Sequence, residues 1–387
     1  MTREVVVVEA LRTPFGRAIK GSFKDTRPDT LAAEVIKALL ERVPELDPLK
    51  VEDVVMGCAM PEGEQGMNVG RLAALLAGLP HEVPAMTVNR FCSSGAQTIG
   101  IAADRIANGG IDVAIAGGTE TMSMIPMGGN KVSANPELMQ SCPEAYISMG
   151  ATAELVAQRF EISRQDQDAF ANESHRRAVE AWEKGIFKDE VIAVETTVQT
   201  AAGPKKVTVS RDECPRPGTT VEGLAKLRPV FDPKGSVTAG NASPLTDGAS
   251  VALLMDKETA DSMGVETLGR FVTYVVVGVP PEIMGIGPVP AIRKLLEKTG
   301  LGVNDIDAVE LNEAFASQAV YCVRELGFDP AKVNPNGGAI AIGHPLGTTG
   351  ARQVGTLLRH LKRTGGRYGI VSMCIGGGMG FAALVEA

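Results

Sequence analysis

Several features that would assign this chain to common functional classes are missing from its 387 residues. None of its six cysteines forms a Cys-x-x-Cys pair, which argues against zinc ribbons and thioredoxin-like redox sites. No basic block offsets the net charge of −8, so we expect no nucleic-acid partner. No apolar run approaches the roughly 18 residues that a membrane-spanning helix requires, and we expect no membrane insertion.

The sequence at the two ends predicts a cytoplasmic location. Residues 1–8, Met-Thr-Arg-Glu followed by four valines, are too short and too acidic for a signal peptide. The last residues, Val-Glu-Ala, differ from the Ser-Lys-Leu address of peroxisomal proteins. Sparse cysteines are typical of free thiols in a reducing compartment.

What the sequence does contain is an internal repeat. Residues 93–100 (Ser-Ser-Gly-Ala-Gln-Thr-Ile-Gly) resemble residues 348–355 (Thr-Thr-Gly-Ala-Arg-Gln-Val-Gly), 255 positions later. Residues 53–55 resemble residues 307–309 in the same way. Strand-like and helix-like segments alternate in both copies, which is typical of a layered α/β fold with parallel pairing. The pattern therefore predicts a duplicated α/β fold.

Hydrophobic patterns predict the positions of the elements. Residues 5–8 form a β-branched run, typical of a strand buried on both faces. The patterns predict further strands at 51–56, 86–88, 113–116, 271–279, 306–311 and 369–373, and helices at 30–41, 72–79, 93–107, 163–184, 290–299, 313–326 and 348–362. We assign residues 1–118 and 245–267 to an N-terminal half, 119–244 to a large insertion loop domain that contacts the ligand, and 268–387 to a C-terminal half.

Two residues in the predicted turns could perform nucleophilic chemistry. Cys92 lies where a predicted strand meets a helix, whose N-terminus favours a thiolate and offers N–H groups to an oxyanion. A buried structural cysteine is the alternative. His344, between Gly343 and Pro345, must lie in an irregular turn. It is a candidate general base or oxyanion donor, and the alternative is a histidine that caps a neighbouring carbonyl.

Two further candidates follow predicted strands. Cys374 precedes a glycine run whose N–H groups could face a ligand. A nucleotide-binding loop is a weak interpretation, because a phosphate site of that kind requires a helix after the glycines and no helical pattern follows them. Asn312 could cap the next helix or point into a cleft. We interpret His175, beside two arginines on an amphipathic helix, as solvent-exposed.

Taken together, these residues resemble the thiolase family. Four blocks occur in the family's order, at residues 89–95 (Asn-Arg-Phe-Cys-Ser-Ser-Gly), 312–316 (Asn-Glu-Ala-Phe-Ala), 343–345 (Gly-His-Pro) and 374–378 (Cys-Ile-Gly-Gly-Gly). Residues 238–243 and 336–341 match as well, and the similarity covers essentially the whole chain. It implies a five-layer α-β-α-β-α fold and looks closest to the degradative 3-ketoacyl-CoA thiolases of bacteria. The acetoacetyl-CoA-forming thiolases are the alternative.

The resemblance also implies a role for each candidate. Cys92 would be the nucleophile that becomes acylated, and His344 would activate it and donate to the thioester oxygen. Cys374 would move a proton on and off the α-carbon of acetyl-CoA. Asn312 would hold a water in the same oxyanion site as His344, and the N–H groups of Cys92 and Gly376 would form a second oxyanion site. Neither a metal nor a permanently bound cofactor is implied, because coenzyme A is a substrate.

Six other positions match those that line coenzyme A: Met149, Arg216, Phe231, Ala239, Ser243 and Phe315. Ser148 stands where biosynthetic members carry a histidine, which favours longer acyl substrates. Gly223 stands where some relatives carry a serine, which implies weaker polar contact with the nucleotide. The family assembles as homodimers or homotetramers, and a hydratase–dehydrogenase subunit is a further candidate partner.

Two other classes of protein match these residues less well than a thiolase does. Ketosynthases of the same fold pair their cysteine with two histidines, and Asn312 at the second position counts against them. A non-catalytic acyl-CoA-binding relative would have lost the cysteine and histidine pattern, which is complete in this chain.

Overall fold

A computed structural model describes residues 3–387 and contains one ten-stranded mixed sheet and a separate two-stranded hairpin. The strands are β1 (Val5–Arg12), β2 (Gly16–Arg17), β3 (Asp53–Gly57), β4 (Ala85–Val88), β5 (Val113–Thr121), β6 (Val194–Thr200), β7 (Gly203–Val209), β8 (Thr246–Asp256), β9 (Gly269–Gly278), β10 (Ala308–Leu311), β11 (Tyr368–Ile375) and β12 (Met379–Glu386). The helices are α1 (Pro28–Arg42), α2 (Val69–Leu76), α3 (Ser94–Ala107), α4 (Pro136–Ser141), α5 (Met149–Arg159), α6 (Arg164–Glu183), α7 (Val221–Ala225), α8 (Lys257–Met263), α9 (Pro288–Thr299), α10 (Ala316–Leu326), α11 (Ala339–Ile342) and α12 (Thr349–Thr364).

Two groups of four strands in the large sheet share one topology. In the first group β3 is parallel to β5, β5 is antiparallel to β8, and β8 is antiparallel to β1. In the second group β10, β11, β12 and β9 follow the same directions. The register extends the repeat to single residues, because Gly57 pairs with Gly118 and Leu311 pairs with Ser372. The predicted duplication is confirmed.

Helices fill the space between the two strand groups and cover their outer faces. α3 and α12 pack against each other and against strands of both groups, forming the central layer. α1 and α2 cover the outer face of the first group, and α9 and α10 cover that of the second. Alternate valines of β1 face the outer core and the central core of the first strand group. Because both faces of the strand are buried, its β-branched run is unbroken. The predicted five-layer α-β-α-β-α fold is confirmed.

The predicted parallel pairing is confirmed for part of the large sheet. Parallel neighbours are confined to β3 with β4 and β5, and to β10 with β11. The sequence pattern did not identify β8 and β12 as separate strands, and both run antiparallel to their neighbours. Only residues 376–378 join β11 to β12, and so short a connection requires a hairpin, because parallel neighbours need a long crossover.

The segment between the two halves contains regular structure of its own. It includes α4 to α7 and the hairpin of β6 and β7. The predicted helix over residues 163–184 is confirmed as α6, which begins with a capping box between Ser163 and Asp166. α6 packs against α10 and α11, so part of this segment lies against the second half. Across residues 3–387, no helix combines the length and the apolar composition needed to cross a membrane.

Candidate active site

Cys92 lies in a strained turn between β4 and α3. Phe91 has a φ of 42°, a left-handed conformation that is rare for a bulky residue. Two hydrogen bonds fix this turn: Asn89 Oδ1 accepts the N–H of Phe91 at 2.8 Å, and the Ser94 hydroxyl donates to the Phe91 carbonyl at 2.7 Å. Such strain persists only where neighbouring groups hold the backbone, and here it places Cys92 at the start of α3.

The Cys92 thiol is buried among groups that stabilise a negative charge only in part. Its sulfur accepts hydrogen bonds from its own backbone N–H and from that of Gly376. Burial raises the pKa of Cys92 to about 11, and these two bonds oppose the rise incompletely. The expected stabilisation of a thiolate by the helix N-terminus is therefore outweighed by desolvation. At neutral pH the thiol is protonated and needs a base.

His344 lies in the equivalent turn, ahead of α12. Gly343 has a φ of 115°, and a Cβ atom there would lie 2.6 Å from the Thr246 side chain, so the turn requires glycine. The Thr246 hydroxyl accepts the N–H of His344 at 2.9 Å. Backbone conformation and this hydrogen bond together hold His344 in the turn.

The hydrogen bonds of the His344 ring assign its tautomer. Nδ1 lies 2.7 Å from the hydroxyl oxygen of Thr349, which donates its own proton to the carbonyl of Pro345 at 3.0 Å. Nδ1 therefore carries the proton, and Nε2 accepts from the Asn312 amide at 3.1 Å. Burial, with a smaller contribution from Arg352, lowers the pKa of His344 to about 3. The imidazole of the free protein is therefore neutral, and its Nε2 carries no proton.

The structure decides between the two interpretations of Asn312. α10 begins at Ala316, with Phe315 at the N-cap, so Asn312 does not cap it. The backbone N–H of Asn312 donates to Ser372 at 2.8 Å, which directs the side chain toward His344. Within residues 3–387 its buried Oδ1 has no hydrogen-bond partner. A water or a substrate group could therefore donate to it.

Cys374 lies on β11, close to Cys92. Burial raises the pKa of Cys374 well above its usual value, and the neighbouring Cys92 adds to the rise. The chain then turns through Gly377 and Gly378, whose φ values of 79° and 83° favour glycine. This turn directs the N–H of Gly376 at the Cys92 sulfur. The structure thus brings the five predicted catalytic residues together.

A cavity of about 610 Å³ is bordered by Cys92 and His344 and opens to the surface. The cavity is mainly apolar, with few polar groups, as is typical of small-molecule sites. The rings of Phe231 and Phe315 meet edge to face, with centroids 6.0 Å apart. All six residues predicted to line coenzyme A border this cavity: Met149, Arg216, Phe231, Ala239, Ser243 and Phe315.

The prediction that His175 is solvent-exposed is wrong. His175 lies on the packed side of α6, and its Nδ1 accepts the backbone N–H of Arg216 at 3.2 Å. Burial lowers the pKa of His175 to about 4, so the ring is neutral and can accept this bond. The charged neighbours Arg176 and Arg177 misled the interpretation, because adjacent helical residues point in different directions. His175 fixes the backbone of a residue at the cavity.

Sequence reasoning also missed two residues that support the site. Thr349 holds the His344 ring, and the buried Glu120 accepts the N–H of Gly347 in the His344 turn. The internal repeat contained a signal for Glu120, which lies 254 positions before Cys374.

Comparisons with known proteins agree with this geometry. The family described as "Thiolase, N-terminal domain" matches residues 5–258, and "Thiolase, C-terminal domain" matches residues 265–387. The 3-ketoacyl-CoA thiolase of Bacillus subtilis (strain 168) is 50% identical over 390 residues, which cover 99% of each chain.

Solved structures with the same fold include two thiolase-type enzymes. The acetyl-CoA acetyltransferase of Bacillus anthracis has a TM-score of 0.90 at 41% identity, over 100% of this chain and 99% of that one. The dimeric peroxisomal thiolase of Saccharomyces cerevisiae has a TM-score of 0.90 at 42% identity, over 99% of this chain and 97% of that one. The family matches span nearly the whole chain, and the protein therefore belongs to the thiolase family.

Proposed function

We propose that this protein is a 3-ketoacyl-CoA thiolase, an acyltransferase that cleaves 3-ketoacyl-CoA with coenzyme A in fatty-acid β-oxidation. The convergence of Cys92, His344, Asn312 and Cys374 beside one cavity carries the proposal. The 50% identity with the Bacillus subtilis 3-ketoacyl-CoA thiolase supports the degradative direction. Coenzyme A enters and leaves as a substrate, and the chemistry uses side chains alone.

In the first half-reaction, Cys92 takes the acyl group. His344 Nε2 accepts the thiol proton as the sulfur attacks the C3 ketone, because neither group is ionised beforehand. The C2–C3 bond then breaks, the shortened acyl group remains on the sulfur, and the electron pair leaves with the acetyl-CoA enolate. The Cys374 thiol protonates C2, and acetyl-CoA departs.

In the second half-reaction, coenzyme A removes the acyl group. The Cys374 thiolate takes the proton of the coenzyme A thiol, and the resulting thiolate attacks the acyl carbon on Cys92. The shortened acyl-CoA departs, and the Cys92 sulfur recovers its proton from His344. Two thiols are needed because one carries the acyl group while the other moves the proton.

Two oxyanion sites would stabilise the charge that develops in these steps. The N–H groups of Cys92 and Gly376, which hold the sulfur in the free protein, are suited to the oxygen on C3. Protonated His344 and a water on Asn312 are suited to the thioester oxygen of the enolate. Each preorganised donor in a dry site contributes about 3–4 kcal/mol to the rate.

The proposed division of the chain assigns binding to the insertion. Residues 119–244 would bind coenzyme A, and residues 1–118 with 245–267 and residues 268–387 would form the catalytic halves. Met149, Arg216 and Phe231 of the insertion border the cavity and support this division. Arg216 supplies a positive charge suited to a phosphate of the nucleotide.

The acyl chain would occupy the opposite side of the cavity. Met122 and Leu346 pack with Cys92 in one apolar cluster. The cavity border continues past this cluster along exposed apolar side chains: Ile19, Met127 and Leu245. An apolar surface of this kind favours acyl chains longer than acetyl, because each buried methylene contributes about 0.8 kcal/mol.

Thiolysis of a four-carbon and a medium-chain 3-ketoacyl-CoA, measured side by side, tests the proposal. We expect faster turnover of the longer chain. Activity on the four-carbon substrate alone would instead indicate an acetoacetyl-CoA thiolase, and activity on neither would contradict both. Met127→Trp should narrow the acyl side and reduce medium-chain turnover selectively. Met139→Trp, at a similarly exposed methionine that does not border the cavity, is the matched control.

We further propose that the protein is a cytoplasmic homodimer. β4 ends the sheet order, and no other strand among residues 3–387 pairs with its outer edge, which could pair with a second chain. Apolar side chains are exposed nearby on and before α2, which packs on β4: Met67, Leu75 and Leu76. Light scattering should report twice the chain mass of 40.5 kDa, whereas four times that mass would indicate a tetramer.

A further inference from the structure

The first half of the chain carries a buried carboxylate at the position that carries Cys374 in the second. Gly118 of β5 and Ser372 of β11 occupy equivalent pairing positions, and Glu120 and Cys374 each follow two residues later. Glu120 is buried and does not border the cavity. The proposed reaction leaves it without a function.

Both oxygens of Glu120 are occupied by donors from separate segments. Oε2 accepts the backbone N–H groups of Ala59 and Gly347, each at 2.8 Å. Oε1 accepts the N–H of Met60 at 3.3 Å and the amide of Gln65 at 2.5 Å. Burial raises the pKa of Glu120, and these four bonds lower it. Because every one of these partners donates, a proton on either oxygen would displace one of them, and this set of donors favours the ionised carboxylate.

Glu120 meets the His344 turn where that turn crosses the start of α3. Gly347 is three residues after His344, and a Cβ atom there would lie 2.9 Å from Glu120 Oε2. A Cβ atom at Gly95, near the start of α3, would lie 2.8 Å from the Gly347 carbonyl oxygen. The turn bearing the base and the helix that follows the nucleophile are therefore in direct contact at this point.

We propose that Glu120 is a positioning residue, whose carboxylate holds the His344 turn against the end of β3 and so sets the imidazole relative to the Cys92 thiol. The inference rests on the proposed function, in which His344 accepts the proton of Cys92. The negative charge has a second consequence, because Glu120 also contributes to the raised pKa of Cys92. Cys374 is a further ionisable group beside this thiol, and His344 borders the same cavity.

Glu120→Gln tests this role with little change in volume. The amide nitrogen of the new glutamine would face the N–H donors that now bind the carboxylate. The lost hydrogen bond and the repulsion should displace the His344 turn. We expect kcat for thiolysis to fall about 10- to 100-fold, since a displacement of about 1 Å can cost 100-fold. KM should change less than about threefold, because Glu120 does not border the cavity. Alkylation of Cys92 by iodoacetamide should become faster at pH 8, because a nearby negative charge is lost.

Two variants separate positioning from general stability. Glu190→Gln removes another buried carboxylate, which binds Arg12 and Thr356 and makes no hydrogen bond to either catalytic turn. It should lower the melting temperature while kcat and the alkylation profile remain those of the wild type. Glu120→Asp retains the charge on a shorter side chain, so it should restore the alkylation profile but recover kcat only in part.

Opposite changes in turnover and alkylation for Glu120→Gln would support the proposal. Wild-type kcat in folded Glu120→Gln would overturn it, as would equal losses of kcat in Glu120→Gln and Glu190→Gln that follow their melting temperatures. If Glu120→Gln fails to fold, full recovery of kcat in Glu120→Asp would overturn it as well. Alkylation needs no acyl-CoA, so it still tests the effect on the thiol if the wild type proves inactive on 3-ketoacyl-CoA.

Discussion

The two halves of the fold carry different chemistry at equivalent positions. β11 carries Cys374 where β5 carries Glu120, and Asn312 follows β10 where Cys58 follows β3. In the second half, Asn312 bonds to His344 and Cys374 lies near Cys92. In the first half, the Cys58 thiol donates to Glu120 at 3.7 Å, and both side chains are closed off. At these two pairs of positions, the second half therefore places Asn312 and Cys374 at the site, whereas the first half, which also carries Cys92, places supporting groups there.

The comparison of Cys58 with Cys92 shows what makes a buried thiol reactive. Burial and the adjacent Glu120 raise the pKa of Cys58 well above its usual value. Burial also raises the pKa of Cys92, but two backbone N–H groups bind its sulfur. His344, whose Nε2 carries no proton, borders the same cavity as Cys92. Burial alone does not separate the two thiols, since both side chains are buried, but Cys92 borders the cavity and has these partners.

Cys92→Ser should have the largest effect on the proposed division of labour. The change is nearly isosteric, but a buried hydroxyl is a far weaker nucleophile than a thiol. We expect kcat to fall by about four orders of magnitude or more, as for nucleophiles in other covalent enzymes. Intact-protein mass after incubation with acyl-CoA should show no added acyl group. Cys322→Ser, at a buried thiol on α10, should be acylated like the wild type.

Cys374→Ser should separate acylation from proton transfer. We expect Cys92 to be acylated still, while overall turnover falls by about two to four orders of magnitude. Exchange of the α-protons of acetyl-CoA with deuterated solvent should be lost. Cys58→Ser is the control from the first half, and it should retain exchange. Normal exchange in Cys374→Ser would remove this residue from the acid/base role.

Thr349→Val should affect the base without touching the nucleophile. The substitution keeps the shape but removes the acceptor for His344 Nδ1. An unpaired buried donor costs about 1–3 kcal/mol, so we expect kcat to fall about 10- to 100-fold. Thr356→Val, on the same helix but bonded to Glu190, should leave kcat within about threefold. Unchanged turnover in Thr349→Val would contradict the tautomer assigned to His344.

Local patterns in the sequence predict most elements but not their pairing. The periodicity of 163–184 and of 348–362 located α6 and α12 within two residues at each end, because apolar residues recur on one face of each helix. The directions of β8 and β12 depend on partners far along the chain, and a local pattern contains no information about them. The helix predicted from 313 starts only at 316, because Phe315 is extended and pairs with Ala242 in an isolated β-bridge.

The same holds for the site: residue types could be predicted from the sequence, but the partners of each residue could not. Cys92 and His344 could be predicted because reactive side chains in irregular turns are unusual. The sequence left the role of Asn312 open, because the residue that its side chain contacts is set by the tertiary fold. Glu120 was missed because its bond to Gly347 spans 227 positions, and a buried carboxylate is not recognisable from neighbouring residues. The repeat is the only part of the sequence that relates such distant positions.

His175→Ala should have the smallest effect and extends the comparison to the insertion. His175 touches neither catalytic turn, and its ring fixes only the backbone of Arg216. Loss of one neutral hydrogen bond costs about 0.5–1.5 kcal/mol, so KM for coenzyme A should rise about 2- to 12-fold. Steady-state kinetics with varied coenzyme A would measure this, and His360→Ala on α12 is the matched control. A fall in kcat with unchanged KM would contradict the assignment of binding to the insertion, because it would mean that α6 acts on the chemical step.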